Sequence, residues 1–247
     1  VAPPVAPAPQ PSVAGKNPDD APARTVSGKV KMSTDLDLPP AFGPNPPLVE
    51  VLVISDFQCP VCKRAVDATH QIAEEFPGDV RVTFWNHALE MHRNAMTAAL
   101  AGVAAQRQGK FWEMHDKLFE NQGALDELSV TTYAEGLGLD MAKFKADLAD
   151  ENLKAQIKAQ GDFADKLEAR GTPAFVVNGK MQVGWGSWNG FKGMVEGELS
   201  QAKLLETAGK TRAQIVELRA RENAPSEEAF AAYKLSFLTP QLAKADK

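Results

Sequence analysis

The chain contains only two cysteines, and they stand two residues apart in the segment Cys59-Pro60-Val61-Cys62. The preceding segment, residues 49–54, is a short β-branched apolar run that is typical of a buried strand. The following segment places Ile72 and Phe76 at helical spacing. The pattern therefore predicts a strand, the cysteine pair, and then a helix over about residues 60–76, with Pro60 in a tolerated first-turn position. This order restricts the possible folds more than any other feature.

The predicted position of Cys59 is the N-terminus of that helix. Unpaired backbone N–H groups and the helix dipole favour a negative charge there, so the Cys59 thiolate should be stabilised. Cys62 lies one turn further on, where it can attack a mixed disulfide on Cys59. The pair therefore predicts redox chemistry with Cys59 and Cys62 as the catalytic residues and without a bound cofactor.

Three other interpretations of the cysteines remain open. A structural disulfide across two intervening residues would remove little chain entropy. A zinc site would need two histidines beside the pair, although the chain has no second cysteine pair. Two inert buried thiols are the third possibility. The histidines available for a zinc site are His70, His87, His92 and His115.

Composition excludes several classes of protein. Apolar residues make up 44% and charged residues 24% of the chain, which is ordinary for a globular protein. The net charge is −5 and we find no basic stripe, so nucleic acid is not expected as a partner. The chain has no run of about eighteen apolar residues, so no membrane span is expected. Because the chain begins with Val1, we expect a processed or trimmed product, whose signal peptide would not be visible.

The chain divides into three predicted parts. Residues 1–25 are rich in proline and alanine and should form an extended, disordered tether, although a processing or cloning remnant is an equal alternative. Residues 26–205 should form the core domain, with a helical insertion over about 88–168. Residues 206–247 should form a helical extension, which either packs on the domain or contacts a partner.

Within the core domain, residues 28–32 predict a weak strand and residues 80–85 another. Residues 174–177 and 180–183 flank Asn178-Gly179, a strong signal for a β-hairpin. A further helix should carry Phe191 and Leu199. Four helical stripes are expected in the insertion: Ala95, Met96, Ala99, Leu100 and Val103; Phe111, His115, Leu118 and Phe119; Met141, Phe144 and Leu148 after a capping Asp140; and Leu153, Ile157, Ala164 and Leu167.

In this order of elements the chain resembles the DsbA family of thioredoxin-fold thiol–disulfide oxidoreductases, in the branch with a helical domain inserted in the core. The resemblance implies an α/β thioredoxin fold over roughly residues 28–203. It also implies protein substrates, unfolded or bearing disulfides, and a membrane-bound or soluble redox partner. The stretches that carry it are residues 55–63, 89–95, 108–116, 118–122 and 170–175.

The resemblance also assigns a role to Thr172-Pro173. An X-Pro bond is usually trans on sequence grounds alone, but in relatives the matching proline is cis and faces the cysteines. Thr172 and Pro173 are therefore expected to contact the backbone of a substrate strand and to keep metal ions from the thiols. Pro60 and Val61 are expected to lie beside the same substrate.

One position departs from the family pattern. Many relatives carry a buried acidic residue six positions before the first cysteine, where it moves a proton to or from the second thiol. The residue here is Val53, and we expect Asp56 to be solvated and not to replace it. Resolution of the mixed disulfide should therefore be slower than in a relative that carries the carboxylate.

The Pro60-Val61 pair offers no imidazole to stabilise the Cys59 thiolate. We therefore expect a moderately oxidising dithiol oxidase, with a reductase or isomerase of the same fold as the alternative. The proline-rich N-terminal segment is unlike a dimerisation helix, which favours a monomer. A lone dithiol suits an oxidising, extracytoplasmic space, such as a periplasm or an envelope-tethered site.

Other conspicuous side chains receive structural interpretations. His70 is expected to be exposed, His92 to cap or pack, and His115 to be a satisfied core histidine. Trp185 and Trp188 are expected to be buried rather than to bind unfolded substrates. Two hypotheses of another class remain: a thiol metal chaperone that binds copper or zinc, and a non-catalytic thioredoxin-fold binding module.

Overall fold

The computed structural model describes residues 38–238. The predicted tether over residues 1–25 and the weak strand at 28–32 lie outside this range, and so do residues 239–247. Within it, the predicted α/β architecture is confirmed, because one mixed sheet is flanked by helices on both faces. The domain boundaries stay predictions.

The sheet has five strands in the order β1-β3-β2-β4-β5. β2 and β3 are parallel, while β1 pairs with β3, β4 with β2 and β5 with β4 in antiparallel fashion. The strands are β1 (Ala41–Phe42), β2 (Val49–Ser55), β3 (Val80–Asn86), β4 (Ala174–Val177) and β5 (Lys180–Val183). The strands predicted at 49–54, 80–85, 174–177 and 180–183 are therefore confirmed.

Helices account for most of the remaining residues. Five of them, α2 to α6, lie between β3 and β4, where the helical insertion was predicted. No helix within residues 38–238 combines the length and the apolar character that crossing a membrane requires. The helices are α1 (Pro60–Glu75), α2 (Ala95–Gln106), α3 (Phe111–Glu120), α4 (Glu127–Gly136), α5 (Met141–Leu148), α6 (Glu151–Lys166), α7 (Trp188–Thr207), α8 (Arg212–Asn223) and α9 (Glu227–Tyr233), followed by a π-helical turn (Lys234–Leu238).

The short strand β1 and helix α4 are elements that the sequence analysis did not predict. Helix α4 buries only Val130 and Ala134, so it has too narrow an apolar stripe to stand out in the sequence. The Asp126 side chain caps it by accepting a hydrogen bond from the Ser129 backbone N–H at 3.1 Å. A local capping signal therefore marks this helix better than its periodicity does.

The β4–β5 hairpin turns at Asn178 and Gly179, which both have positive φ angles, 44° and 85°. This is the backbone geometry that the Asn-Gly pair predicts. A Cβ atom on Gly179 would lie 2.5 Å from the carbonyl oxygen of Ala220 in α8. Glycine is therefore required here for the backbone angle and for the close approach of α8.

The two faces of the sheet support separate apolar cores, because alternate residues of β2 point to opposite sides. Val51 and Val53 belong to the core that contains the cysteines, α1, α7 and part of the helical insertion. Leu52 and Ile54 belong to the second core. Other members of that core include Trp85, Phe163, Val216, Phe230, Tyr233 and Phe237.

This second core determines the place of the C-terminal extension. Val216 of α8 and Phe230 of α9 are almost fully buried against the sheet. The sequence left open whether the extension packs on the domain or contacts a partner. The part of it that the structure describes packs on the domain. A capping box between Thr211 and Gln214 begins α8.

Candidate active site

Cys59 occupies the N-cap position of α1, and Pro60 is the first helical residue. The Cys59 backbone N–H donates to the Asp56 carbonyl oxygen at 3.1 Å, which closes the turn between β2 and α1. Both cysteines are free thiols. Cys59 is 6% exposed and Cys62 is 2% exposed, so the outer sulfur lies nearly flush with the protein surface instead of projecting from it.

The environment of Cys59 favours its thiolate. The pKa of Cys59 falls from 9.0 to about 5, chiefly because the Cys62 thiol donates a hydrogen bond to it, and burial opposes this only in part. The Thr172 side chain and the backbone N–H groups of Cys62 and Val61 lower the pKa further. The helix N-terminus, on which the sequence argument relied, thus contributes less than the second cysteine does.

Cys62 has the opposite character. Burial raises its pKa well above the usual range, and its hydrogen bond to the Cys59 sulfur adds to the shift. The Asp56 backbone and the Ser55 hydroxyl oppose these effects without cancelling them. The pair thus combines an ionised outer sulfur with a protonated inner one at neutral pH, which is the division of roles predicted from the sequence.

The loop before β4 lies directly against the outer cysteine. The Cys59 Sγ lies 3.4 Å from the Thr172 carbonyl oxygen, and the Thr172–Pro173 peptide bond is cis. Pro173 is buried and Thr172 is half-buried, whereas Pro60 is exposed and Val61 half-buried. The structure therefore brings four of the predicted site residues, Cys59, Cys62, Thr172 and Pro173, into one cluster, with Pro60 and Val61 between the two cysteines.

The expectation that Asp56 is solvated is wrong, because the residue is only 1% exposed. Its carboxylate accepts hydrogen bonds from the backbone N–H groups of Gln58 at 2.7 Å and Leu89 at 2.9 Å. It also lies 2.8 Å from Nδ1 of His92. Asp56 therefore ties the active-site turn to the segment that leads into the helical insertion, and His92 is its partner rather than a capping residue.

Two glutamines make further connections that the sequence analysis did not predict. Gln122 donates from Nε2 to the carbonyl oxygens of Phe57 at 2.8 Å and Cys59 at 2.9 Å. Gln58 accepts from the backbone N–H of Asn94 at 2.7 Å. The presence of Gln122 in one of the matching stretches was the only signal for its role. These bonds hold the cysteine turn against the insertion from both sides.

A small cavity lies beneath the inner cysteine. Its volume is about 10 Å³, close to the space that one water-sized sphere occupies. Val53, the residue at the position of the family's carboxylate, lies in its wall. The polar side chains that line the cavity are those of Ser55, Cys62, Thr69 and His115.

The prediction that His70 is exposed is wrong. His70 is fully buried, because α1 packs its face against Phe42 and Trp112. The prediction of a buried, satisfied His115 is confirmed, since its Nδ1 lies 2.9 Å from Oδ1 of Asp116.

His70, His115 and Asp116 are the one group of possible metal ligands that lie together within residues 38–238. Aromatic rings surround them, and Asp116 bonds directly to His115. This is the arrangement of a hydrogen-bonded network, and we assign no metal to it. Among the described residues, neither cysteine belongs to such a group.

Trp185 and Trp188 are half-buried, between the two interpretations considered for them. Trp185 packs against Phe175 and Phe191, with ring centroids 6.0 Å apart in both pairs. Trp188 contacts Phe191 and carries the Lys192 ammonium over its ring.

Comparison with known proteins agrees with the fold and the site. Residues 39–197 match the family model described as Thioredoxin, which covers more than half of the chain. The chain therefore belongs to the thioredoxin family, and the family resemblance deduced from its sequence is confirmed.

Two solved structures illustrate the similarity. The thioredoxin-like oxidoreductase from Silicibacter pomeroyi DSS-3 is 25% identical, with a TM-score of 0.58 over 72% of this chain and 94% of that one. BdbD from Bacillus subtilis is also 25% identical, with a TM-score of 0.59 over 69% of this chain and 97% of that one.

A longer curated protein also matches part of the chain. The Na(+)/H(+) antiporter NhaA 1 of Salinispora arenicola is 39% identical over 144 residues, which are 58% of this chain and 22% of that protein. The chain thus spans about a fifth of the length of that relative.

Proposed function

We propose that the protein exchanges disulfides with protein substrates through Cys59 and Cys62, and that it acts mainly as a moderately oxidising dithiol oxidase. The observation that carries this proposal is the opposite shift of the two thiol pKa values, lowered to about 5 for Cys59 and raised for Cys62. An ionised outer sulfur and a protonated inner one divide the work of attack and resolution between them.

The direction of exchange follows from the stability of the thiolate. Stabilising the Cys59 thiolate stabilises the reduced protein, and a protein with a stable reduced form is a stronger oxidant. Thioredoxin has a reactive cysteine with a pKa near 7, and strongly oxidising DsbA one with a pKa near 3.5. A value of about 5 lies between them, which supports a moderately oxidising role.

Substrate binding is proposed for the surface around the outer sulfur. An extended substrate segment would pair with the backbone at Thr172, beside Pro173, and pass over Pro60 and Val61. The exposure of Pro60 and the contact between Cys59 and Thr172 support this path. We propose that a separate redox protein, membrane-bound or soluble, reoxidises the cysteine pair. We further propose that the protein is a monomer in an extracytoplasmic compartment, where a dithiol of this kind is useful.

The experiment compares the protein with its Cys59→Ser variant in two assays. One follows the reduction of insulin, and the other follows the oxidation of a reduced, unfolded substrate protein that contains several cysteines. We expect activity in both assays, with oxidation favoured in a glutathione buffer near −200 mV, and loss of both in Cys59→Ser. A scrambled substrate protein, assayed in parallel, tests the isomerase alternative.

Metal analysis of the same samples separates the proposal from a metal chaperone. Turnover without bound copper or zinc would support the oxidoreductase. One metal ion per chain, lost together with Cys59, and no turnover would overturn it. If the protein reduces insulin and isomerises disulfides but does not oxidise the reduced substrate, the oxidase proposal is wrong. The protein would then be a reductase or isomerase of the same fold.

A further inference from the structure

His115 is a titratable side chain in the core directly beneath the active site. It is 2% exposed, and the rings of Phe57, Phe84 and Phe119 surround its imidazole with centroids 4.9 to 5.8 Å away. A purely apolar side chain would suit such surroundings better, because burying a polar ring costs free energy unless its nitrogens are used. The position therefore invites a functional explanation.

Asp116 fixes the orientation of this imidazole. Oδ1 of Asp116 lies 2.9 Å from Nδ1 of His115, and the same oxygen lies 3.7 Å from Nε2 of His70. An ionised carboxylate only accepts hydrogen bonds, so the proton of the neutral His115 ring resides on Nδ1. The lone pair on Nε2 is then the basic site of the ring.

Burial keeps His115 in its neutral form. Desolvation is the largest influence and lowers the pKa of His115, while the hydrogen bond and the charge of Asp116 oppose it and His70 lowers it further. A neutral imidazole can accept a proton at its unprotonated nitrogen and later return it.

His115 and Cys62 line the same small cavity. Its volume of about 10 Å³ suits a single water molecule, which needs two to four polar partners. Ser55 and Thr69 supply hydroxyl groups in addition to the thiol and the imidazole. Val53 lies in the wall of the same cavity. An acidic residue at position 53, as in many relatives, would therefore face the space that His115 also lines.

We propose that His115, oriented by Asp116, accepts and returns the proton of the Cys62 thiol through one water molecule in this cavity. This inference rests on the proposed exchange at Cys59. During resolution the Cys62 thiol loses its proton to His115, and its sulfur attacks the Cys59 sulfur of the mixed disulfide. The Cys59–Cys62 bond forms, the substrate sulfur leaves as a thiolate, and the proton stays on the imidazole. In the reverse direction, His115 returns the proton to the Cys62 sulfur as the internal disulfide opens.

The titratable groups that face this path are few. Cys59 and Cys62 approach it from the turn and from α1, His70 from α1, and Asp116 from α3. The residues that β2 and β3 contribute to the cavity, which are Val53, Ser55, Val82 and Phe84, do not titrate. A change in the pH profile on replacing His115 can therefore be assigned to that residue once Asp116 has been tested separately.

The test measures two steps separately by rapid mixing with a small disulfide. One is the attack of Cys59, and the other is the resolution by Cys62. In His115→Gln we expect resolution to slow by at least tenfold and its pH profile to flatten, while the attack step stays within about twofold of the parent protein. A merely structural role would change both steps together. The variant Asp116→Asn should slow resolution alone in the same way.

The double variant Val53→Glu/His115→Gln provides the matched rescue, because it places a carboxylate in the same cavity. We expect it to recover most of the lost resolution rate and to show the pH profile of a carboxyl group. Resolution in His115→Gln within twofold of the parent, with the same pH profile, would overturn the proposal. Failure of the parent protein to form any mixed disulfide on Cys59 would instead overturn the proposed function.

If His115→Gln does not fold, nitrogen NMR of the parent protein decides the question. We expect the Nδ1–H tautomer of His115, with an Nε2 shift that differs between the oxidised and the reduced protein. An Nε2–H tautomer, or shifts that ignore the oxidation state, would contradict the assignment.

Discussion

The sulfur of Cys59 lies 3.4 Å from the carbonyl oxygen of Thr172, a residue 113 positions further along the chain. The contact joins the N-terminus of α1 to the cis-proline loop that precedes β4. Cys59 follows strand β2, and the loop that contains Thr172 and Pro173 precedes strand β4. These two strands are paired in the sheet. The central sheet therefore sets the distance between the reactive sulfur and the backbone proposed to hold a substrate.

Alkylation of Cys59 should show an inflection near pH 5 in place of the value near 9 expected for a free thiol. The reason is that iodoacetamide reacts with the thiolate, whose fraction follows the lowered pKa. The measurement is the rate of modification between pH 4 and pH 9, with mass spectrometry to locate the label. A single inflection above pH 8 at Cys59 would contradict the assigned environment.

The same shift makes a prediction about stability. The folded pKa of Cys59, about 5, is lower than the unfolded value of 9.0, so the unfolded state binds more protons between these values. The stabilisation is therefore complete above pH 9 and is lost as the pH falls through 5. The free energy of unfolding of the reduced protein, relative to Cys59→Ser, should rise from pH 5 to pH 9 in denaturant titrations.

Thr172→Val should raise the pKa of Cys59, since the Thr172 side chain is among the groups that lower it. Iodoacetamide is small enough to report this change apart from any effect on the binding of a protein substrate. Thr132→Val, which alters an exposed threonine of α4, is the control and should leave the alkylation profile unchanged. If the alkylation profile of Thr172→Val is unshifted, the Thr172 side chain does not stabilise the Cys59 thiolate.

Asp56→Ala should lower the free energy of unfolding by about 2–4 kcal/mol, because three donors lose a buried acceptor. Exchange should slow as well, since the cysteine turn loses its attachment to the segment before α2. Asp162→Ala, an exposed aspartate of α6, serves as the matched control and should change stability by less than about 0.5 kcal/mol. Equal stability of the two variants would show that Asp56 is solvated after all.

Phe230→Ala should destabilise the protein by about 3–5 kcal/mol, the range for removing a buried phenylalanine. Phe230 is 6% exposed in the core shared with the sheet, whereas Leu235, in the turn that follows the same helix, is 75% exposed. In chemical denaturation, Phe230→Ala should therefore lose much of the free energy of unfolding, whereas Leu235→Ala should lose almost none. Similar losses in both would mean that α9 does not pack on the sheet.

Much of the fold could be predicted because the strongest local signals agree with the tertiary structure. The apolar strand before Cys59, the Asn178-Gly179 turn and the capping box at Thr211 each specify their own conformation. Helix α4 escaped because it buries only two residues and therefore shows little periodicity. The place of the C-terminal helices could not be predicted, since an amphipathic helix does not reveal which surface covers it.

The position of the two cysteines was predicted from the sequence, but their surroundings only in part. The spacing of Cys59 and Cys62 is local, so their roles could be inferred from the sequence. The burial of Asp56 and His70 depends on contacts with segments 33 or more residues away, and a charged residue on its own gives no sign of such partners. The errors therefore arose where long-range packing decides burial.

The most direct test of the central claim is to trap the mixed disulfide. Reduced Cys62→Ser protein keeps a hydroxyl that can donate to the Cys59 sulfur. Mixed with oxidised glutathione at pH 6, it should accumulate one stable glutathione adduct on Cys59, visible by mass spectrometry. Reduced Cys59→Ala protein should form an adduct on Cys62 at least about tenfold more slowly, because that sulfur is buried and protonated. Equal rates of adduct formation at the two cysteines, or an adduct found mainly on Cys62, would contradict the account.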